Sequence, residues 1–156
     1  MYPSSSEGLN KETDDAVYFF SPAFDPLNNY SAHAVEIWGK VFPTAEHAYQ
    51  WKKFLSAAPG VAEQIFQARS AEAAGKIAST NKSKILPAWH DEKVAVMEKI
   101  FRAKLEQHDD VRDALTRTGT RTIIENSPVD SFWGAGPNGN GQNMIGKLWM
   151  KIRDSA

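Results

Sequence analysis

The stretch FPTAEHAYQWKKF, residues 42–54, decides how the first half of the chain folds. Thr44 follows Pro43 and is a good helix N-cap, because its hydroxyl accepts a hydrogen bond from a free amide of the first turn. The residues that follow contain neither Gly nor Pro. The stretch therefore predicts a helix over Ala45–Phe54.

Glu46, Gln50 and Lys53 stand at i, i+4 and i+7 of this predicted helix and therefore share one face. The Glu46 carboxylate and the Lys53 amine are therefore aligned along the helix, with Gln50 between them, in what we call the column of this helix. Such a column is most commonly a solvated, salt-bridged stripe. The alternative is a functional site, which the neighbouring aromatic residues Tyr49 and Trp51 favour. The first helical turn also favours it, because the helix dipole stabilises a carboxylate there.

Three short strands are predicted before this helix, and one more strand and five helices after it. The strand predictions rest on β-branched and aromatic runs, and the helix predictions on caps and periodic apolar residues. The predicted strands are Ala16–Phe20, a hairpin of Ala34–Trp38 with Lys40–Phe42, and Thr120–Glu125; the helices are Pro59–Ala68, Glu72–Ala78, Asp91–Gln107, Val111–Arg117 and Asn143–Arg153. The predicted buried face of Asp91–Gln107 comprises Val94, Met97, Phe101 and Leu105. Together these elements predict an α+β class: a single helix-rich domain with a small, mostly antiparallel sheet.

The composition is typical of one globular domain. The chain has 156 residues, 42% hydrophobic and 24% charged, with a net charge of −1. That balance argues against strong non-specific attraction to nucleic acid or an anionic membrane. Cys is absent, which excludes disulfides and thiolate chemistry. Residues 1–15 predict a disordered N-terminal tail, and residues 16–156 the domain. With no leader and no long apolar run in the sequence, a cytoplasmic location is expected.

A glycine-rich segment, WGAGPNGNGQNMIGK, runs from Trp133 to Lys147, into the start of the last predicted helix. Gly134, Gly136 and Gly139 match the G-x-G-x-x-G spacing of dinucleotide-binding folds. The strand and acidic residue that should follow in such a fold are missing from the sequence. Two interpretations stay open: backbone amides that bind a phosphate, or a flexible surface turn.

The preceding segment, ENSPVDSFW, places two carboxylates beside two aromatic rings at Glu125 to Trp133. Asp130 is either a functional acid or a turn residue after Pro128 whose side chain bonds nearby backbone amides. Tryptophans such as Trp89 are either core residues or platforms that stack on a base. The four histidines show no metal-ligand spacing, so no metal site is expected. Nucleophile-elbow and Walker A motifs are absent.

Six segments in order resemble the NADAR family, also called YbiA-like or DUF1768 proteins, over nearly all of residues 17–153. They are DPLNNY (25–30), FPTAEHAYQWKKF (42–54), AEAAGK (71–76), the region from Trp89 through VME and AKL to Lys104, TGTRTIIE (118–125), and SPVDSFWGAG with GQNMIGKLWMKIR (127–136 and 141–153). Each segment is weak alone, but together and in this order they are specific.

The resemblance implies a YbiA-like fold and an N-glycosidase that acts on ribosyl linkages. Two substrate classes are implied: phosphorylated aminopyrimidine ribosides of early riboflavin synthesis, and ADP-ribose attached to guanine in nucleic acid. Loss of the base leaves an oxocarbenium-like carbon, so the site needs a carboxylate near C1′ and a proton donor for the departing nitrogen. Glu46 and Asp130 fit these two roles, in either order.

Lys53 matches a family lysine that either binds substrate or attacks the open-chain sugar as a Schiff-base nucleophile. Helical geometry favours Lys53 over Lys52, which is rotated from it by about 100°. The binding residues implied by the resemblance are Asn29, Gln50, Trp89, Lys104, Glu125, Trp133, Gly134, Gly136, Gly141 and Asn143. The two tryptophans would stack on the base or ribose, and the glycines with Asn143 would hold phosphates. The implied partner is a ribosyl phosphate or ADP-ribosyl substrate, including ADP-ribosylated nucleic acid, with no cofactor and no membrane.

A second hypothesis, of a different class, is a non-catalytic module that binds ADP-ribose or a related nucleotide. The presence of both Glu46 and Asp130 favours catalysis, because two carboxylates do not help to bind an anionic phosphate. Turnover of either substrate class distinguishes the two hypotheses.

Overall fold

A computed structural model describes residues 9–20 and 25–155. Its strands are β1 (Lys11–Glu12), β2 (Ala16–Phe19), β3 (Val35–Ile37), β4 (Lys40–Phe42) and β5 (Thr122–Glu125). Its helices are α1 (Ala45–Phe54), α2 (Pro59–Phe66), α3 (Ala71–Thr80), α4 (Trp89–Gln107), α5 (Asp109–Arg117) and α6 (Met144–Asp154). Short 3-10 turns occupy Asp25–Leu27 and Lys82–Lys84. Every predicted element is present, with boundaries that differ by no more than two residues.

Part of the segment predicted as a tail carries a strand. β1 pairs antiparallel with β2, and Lys11 lies opposite Tyr18. Both residues of β1, Lys11 and Glu12, are exposed and polar, so their sequence did not indicate this strand pairing. Residues 1–8 of the predicted tail lie outside the described residues.

The chain divides into two compact units. The helical unit, residues 29–109, contains the β3–β4 hairpin and α1–α4. In it, α1 packs against α2, α3 and α4. Its fully buried side chains include Phe42, Phe54, Ile65 and Ile100. The central position of α1 explains why so many of its residues are buried, the polar ones included.

The start of α1 is held by a histidine. Thr44 Oγ1 accepts the His47 amide at 3.1 Å, which confirms the predicted N-cap. The buried His47 ring bonds the Thr44 hydroxyl through Nδ1 at 2.8 Å and the Ala68 carbonyl through Nε2 at 3.0 Å. Since a carbonyl only accepts, Nε2 carries the proton. Burial lowers the pKa of His47, and the Ala68 hydrogen bond opposes this only in part. This neutral imidazole ties α1 to the α2–α3 connection.

The buried face of α4 differs in part from the prediction. Two of its four predicted residues are buried, but Val94 and Leu105 are only half-buried. Ile100 and Lys104 are fully buried instead. α4 packs against both α1 and β3, so its buried face includes positions 100 and 104. The spacing of apolar residues alone did not indicate this face.

The sheet unit consists of the N-terminal segment through residue 28 and residues 110–155. Its strands lie in the order β1–β2–β5, and β2 and β5 are parallel, with Phe19 opposite Glu125. The β1–β2 and β3–β4 pairs are antiparallel, so the sheets of the described residues are mostly antiparallel, as predicted. α6 packs on β5, and Gly146 permits this because a Cβ there would clash with the Ile123 carbonyl. None of the helices in the described ranges combines the length and apolar character needed to cross a membrane.

Candidate active site

The predicted column on α1 is present and is centred on the Glu46 carboxylate. Gln50 Nε2 donates to Glu46 Oε2 at 2.9 Å, and Asn29 Nδ2 donates to Oε1 at 2.6 Å. The Glu46 amide also donates to the Asn29 carbonyl at 3.0 Å, which fixes the loop before β3 to the start of α1. Tyr30 adds a side-chain hydrogen bond to the carboxylate. Loop and helix therefore hold this carboxylate in one position.

Glu46 is only 5% exposed, so the interpretation as a solvated stripe is wrong for this residue. Burial raises the pKa of Glu46, because a carboxylate loses its hydration. Hydrogen bonds from Gln50, Asn29 and Tyr30, together with the charge of Lys53, oppose that rise. The carboxyl group is thus buried but well supplied with donors, which is an environment suited to proton exchange.

Lys53 is the inward-facing lysine of the pair. Its ammonium lies 5.1 Å from the centre of the Tyr49 ring, whereas Lys52 lies over Trp38 at 5.0 Å. Burial lowers the pKa of Lys53, Glu46 raises it, and the charges of two further lysines lower it again. The helical argument for Lys53 over Lys52 is therefore supported by where the two ammonium groups point.

A cleft of about 390 Å³ opens beside the column within the helical unit. Its lining residues are Gln50, Lys53, Gly75, Ala78, Ser79, Lys82, Ile85 and His90. Two of the predicted site residues, Gln50 and Lys53, thus face a space large enough for a small ligand. Gln50 Oε1 is buried and has no hydrogen-bond partner among the described residues, so the cleft contains an unused acceptor.

Gly75 brings α3 close to the carboxylate. A Cβ at this position would lie 3.1 Å from the Tyr30 hydroxyl and 3.4 Å from Glu46 Oε2. Sequence reasoning missed this glycine as a site residue, as it missed Tyr30, Ser79 and His90. The available signal was the run of small residues in α3, which allows close helix approach.

Two other predicted binding residues of the helical unit are buried. Trp89 is 5% exposed, its ring is tilted against Tyr49 with centroids 5.4 Å apart, and its Nε1 has no partner among the described residues. Lys104 is fully buried, and its ammonium donates to Ser31 Oγ at 2.7 Å. Base stacking by Trp89 and substrate binding by Lys104 stay predictions.

Asp130, in the sheet unit, makes the contacts of a turn residue. Its Oδ1 accepts the amides of Phe132 at 2.9 Å and Trp133 at 2.8 Å. Its own amide donates to Ser127 Oγ at 3.0 Å. Oδ2 accepts no hydrogen bond from the described residues. The turn interpretation is thus supported, and a functional role of the Asp130 carboxylate stays a prediction.

Glu125 ends β5 and is 9% exposed. Burial raises its pKa to about 7, the charge of Asp130 adds to the rise, and the Ser127 amide opposes it. That amide donates to Glu125 Oε2 at 3.2 Å. Gly134 is required beside it, because a Cβ there would clash with the same carboxyl oxygen. Glu125 is therefore a carboxyl group that exchanges its proton near neutral pH.

The glycine-rich segment packs on itself and on β5. The amides of Gly141 and Asn143 donate to the carbonyls of Ala135 and Gly134 at 2.6 and 3.0 Å. The Asn143 side chain bonds Glu125 N at 2.8 Å through Oδ1 and the Ile123 carbonyl through Nδ2. No hydrogen bond among the described residues uses the amides of Gly134 and Gly136. Phosphate binding by this segment stays a prediction, and Gly134 and Gly136 are two of its predicted residues whose amides could take part.

The predicted site residues thus fall into two sets. In the helical unit the connected residues are Asn29, Glu46, Gln50 and Lys53, and in the sheet unit they are Glu125, Asp130, Gly134 and Asn143. Trp133 and Gly136 also lie in the sheet unit. Glu46 and Asp130 belong to different units, and their pairing stays a prediction.

Comparison with known proteins settles the family. The model of the NADAR domain family matches residues 9–155. The chain belongs to the NADAR family. The N-glycosidase YbiA of Shigella boydii is 33% identical over 143 residues, which cover 90% of this chain and 88% of that protein. A riboflavin biosynthesis protein of Vibrio vulnificus is 29% identical over 143 residues, which cover 90% of this chain and 38% of that protein.

A solved NADAR structure has the same fold. The NMR structure of Escherichia coli YbiA matches with a TM-score of 0.81 and 29% identity, covering 97% of this chain and 90% of that one. The resemblance found in the sequence is confirmed, and so is the predicted YbiA-like α+β fold.

Proposed function

We propose that this chain is an N-glycosidase, a hydrolase that cleaves the N-ribosyl bond of a phosphorylated ribosyl or ADP-ribosyl compound. One support is its identity with YbiA, a protein named as an N-glycosidase, over most of both chains. The observation that carries the proposal is the buried Glu46 carboxylate, held by Asn29 and Gln50 beside the cleft. Cleavage of a glycosidic bond needs a carboxyl group fixed in this way at the reacting carbon.

The reaction needs one acid and one base. The bond between C1′ and the base nitrogen breaks, its electron pair leaves with the base, and the nitrogen takes a proton. A carboxylate stabilises the oxocarbenium-like carbon, and water then adds to C1′ and loses a proton. Glu46 supplies one of these functions, and Asp130 stays the predicted second carboxylate. A raised pKa suits Glu46 to proton donation, because more of it stays protonated near neutral pH.

Lys53 offers a second route through the same site. Its lowered pKa increases the fraction of neutral amine, which is the nucleophilic form. The amine adds to C1′ of the ring-opened sugar, and the base departs with its electron pair and a proton. Water then hydrolyses the Schiff base, which releases the sugar and regenerates Lys53. Glu46 is near enough to influence the charge of Lys53 and so serves this route as well.

Two substrate classes fit the proposal, and one assay separates them. Purified chain is offered an oligonucleotide carrying ADP-ribosylated guanine and, in parallel, a ribosylaminopyrimidine phosphate, and products are read by mass spectrometry. Free ADP-ribose with restored guanine identifies a nucleic-acid substrate. Ribose 5-phosphate from the second substrate alone identifies the riboflavin-pathway class, for which the Vibrio relative's name is the support.

The catalytic assignment is tested by Glu46→Gln, which keeps the size of the side chain. We expect turnover to fall by at least about 100-fold, the usual effect of losing a general acid or base. Glu63→Gln is the matched control, because Glu63 also accepts from a Gln four residues later, at 2.6 Å, but is exposed on α2. Undiminished turnover in Glu46→Gln would refute the assignment. Tight binding of both substrates without turnover would favour the non-catalytic module.

A further inference from the structure

The cleft of the helical unit has a cationic mouth. Among its lining residues, Lys53, Lys82 and His90 carry positive or protonatable groups, and none carries a carboxylate. Lys82 and His90 are exposed, so they stand where the cleft meets solvent. No ion pair among the described residues engages Lys82. The positive charge of Lys82 at this mouth is suited to an anion.

Two helix faces and two short elements form the walls. Gln50 and Lys53 lie one turn apart on α1, and Gly75, Ala78 and Ser79 form one face of α3. The small residues of α3 leave room for a ligand between the helices. Lys82 follows the end of α3, and His90 lies in the first turn of α4, where the helix dipole also favours an anion.

The inner end of the cleft needs a hydrogen-bond donor rather than an anion. Gln50 Nε2 donates to Glu46 Oε2 at 2.9 Å, so the amide oxygen of Gln50 points away from this carboxyl group. That oxygen, Oε1, is buried, unpartnered and part of a residue that lines the cleft. A ligand hydroxyl would donate a hydrogen bond to Oε1. Leaving this buried acceptor without a donor costs free energy.

The two ends of the cleft therefore differ in the chemical groups that line them. Gly75, at one end, lies beside the Glu46 carboxylate, and Ser79 is one turn further along α3 towards Lys82. Its volume of about 390 Å³ lies within the range of small-molecule sites. A hydroxyl donor at Gln50 and an anion at Lys82 and His90 are features of one kind of molecule, a sugar phosphate.

We propose that this cleft is a sugar-phosphate site in which Lys82 and His90 bind the phosphate and Gln50 Oε1 accepts a sugar hydroxyl. The assignment of the sugar as part of a glycosidase substrate rests on the proposed function, whereas the anion site rests on the cleft itself. Neither Lys82 nor His90 belongs to the residues that the sequence resemblance implied for binding. The orientation directs the phosphate away from Glu46, which removes the repulsion between two anions.

The test measures binding of ribose 5-phosphate and of unphosphorylated ribose to the full chain by calorimetry. We expect Lys82→Ala to weaken ribose 5-phosphate binding roughly tenfold, since a hydrogen bond to a charged group is lost, and to leave ribose binding unchanged. Lys84→Ala is the matched control, because Lys84 is exposed on the same 3-10 turn and does not line the cleft. It should change neither affinity by more than about twofold.

Other readouts complete the test. His90→Gln should also weaken ribose 5-phosphate binding, and the side-chain amide signal of Gln50 should shift in NMR spectra when the sugar phosphate is added. Equal weakening by Lys82→Ala and Lys84→Ala, no binding by the wild type, or an unmoved Gln50 signal would overturn the proposal. Because ribose 5-phosphate needs no turnover, failure of the glycosidase proposal leaves this measurement interpretable. Turnover by the wild type with normal ribose 5-phosphate binding by Lys82→Ala would refute the site alone.

Discussion

Replacing Glu125 by Gln should remove a pH dependence from the stability of the fold. The folded chain holds the pKa of Glu125 at about 7, against 4.5 for an ordinary Glu, and the first cause is burial. Between these two values the folded chain retains a proton that the unfolded chain has released. By linkage, the free energy of unfolding therefore falls as the pH rises through this window.

The magnitude follows from the two values. A rise from 4.5 to about 7 corresponds to roughly 3 kcal/mol of stability lost between acid and slightly alkaline pH. The side chain is 9% exposed, so solvent screening reduces this little. Gln is neutral at every pH, and its amide oxygen can still accept the Ser127 amide. The Glu125→Gln chain should therefore lack this contribution to the pH dependence.

The assay is urea unfolding followed by tryptophan fluorescence at several values between pH 4.5 and 8, for wild type and Glu125→Gln. The wild type should lose roughly 3 kcal/mol relative to the variant across this range. His47, whose pKa burial lowers, acts in the opposite direction, but it is common to both chains and cancels in the difference. Glu63→Gln, at an exposed position, should show a nearly constant difference. A pH-independent difference for Glu125→Gln would refute the reasoning.

Two further predictions concern Lys53 and Gly134. Borohydride added during turnover should leave a reduced sugar adduct on Lys53, detected by peptide mass spectrometry. The adduct should be absent from Lys53→Arg and present in Lys52→Arg. An adduct that survives Lys53→Arg would exclude the Schiff-base route at this residue. Gly134→Ala should lower the free energy of unfolding by about 2 kcal/mol, because its Cβ would clash with the Glu125 carboxyl group. Gly60→Ala, with nothing within 4 Å of the added Cβ, should be neutral or slightly stabilising, and equal melting temperatures for the two variants would contradict the close approach.

Within the described residues, local sequence signals were sufficient for the six α-helices and for every strand except β1. The α1 bounds and the Thr44 cap follow from side chains that act on their own first turn. The shared face of Glu46 and Gln50 follows from helical spacing alone. These features depend on residues a few positions apart, so one stretch of sequence contains the information that specifies them.

The site needed more than spacing. Whether the α1 column was a solvated stripe or a buried site depended on which helices cover it, and the run of small residues around Gly75 brings α3 against it. The approach of Gly134 to Glu125, and the resulting pKa of about 7, likewise join residues through a folded segment. A sequence pattern contains no information on desolvation, which is what shifts both carboxyl groups.

The sequence by itself determined the family, the order of the α-helices and of the strands after β1, and the charged column of α1, because each rests on residue identity and local geometry. The tertiary structure alone decided the parallel pairing of β2 with β5, the full burial of Lys104 and the unpartnered oxygen of Gln50. Strand pairing and burial arise from contacts between residues far apart in the chain. The free energy of those contacts depends on the packed neighbours rather than on the local sequence.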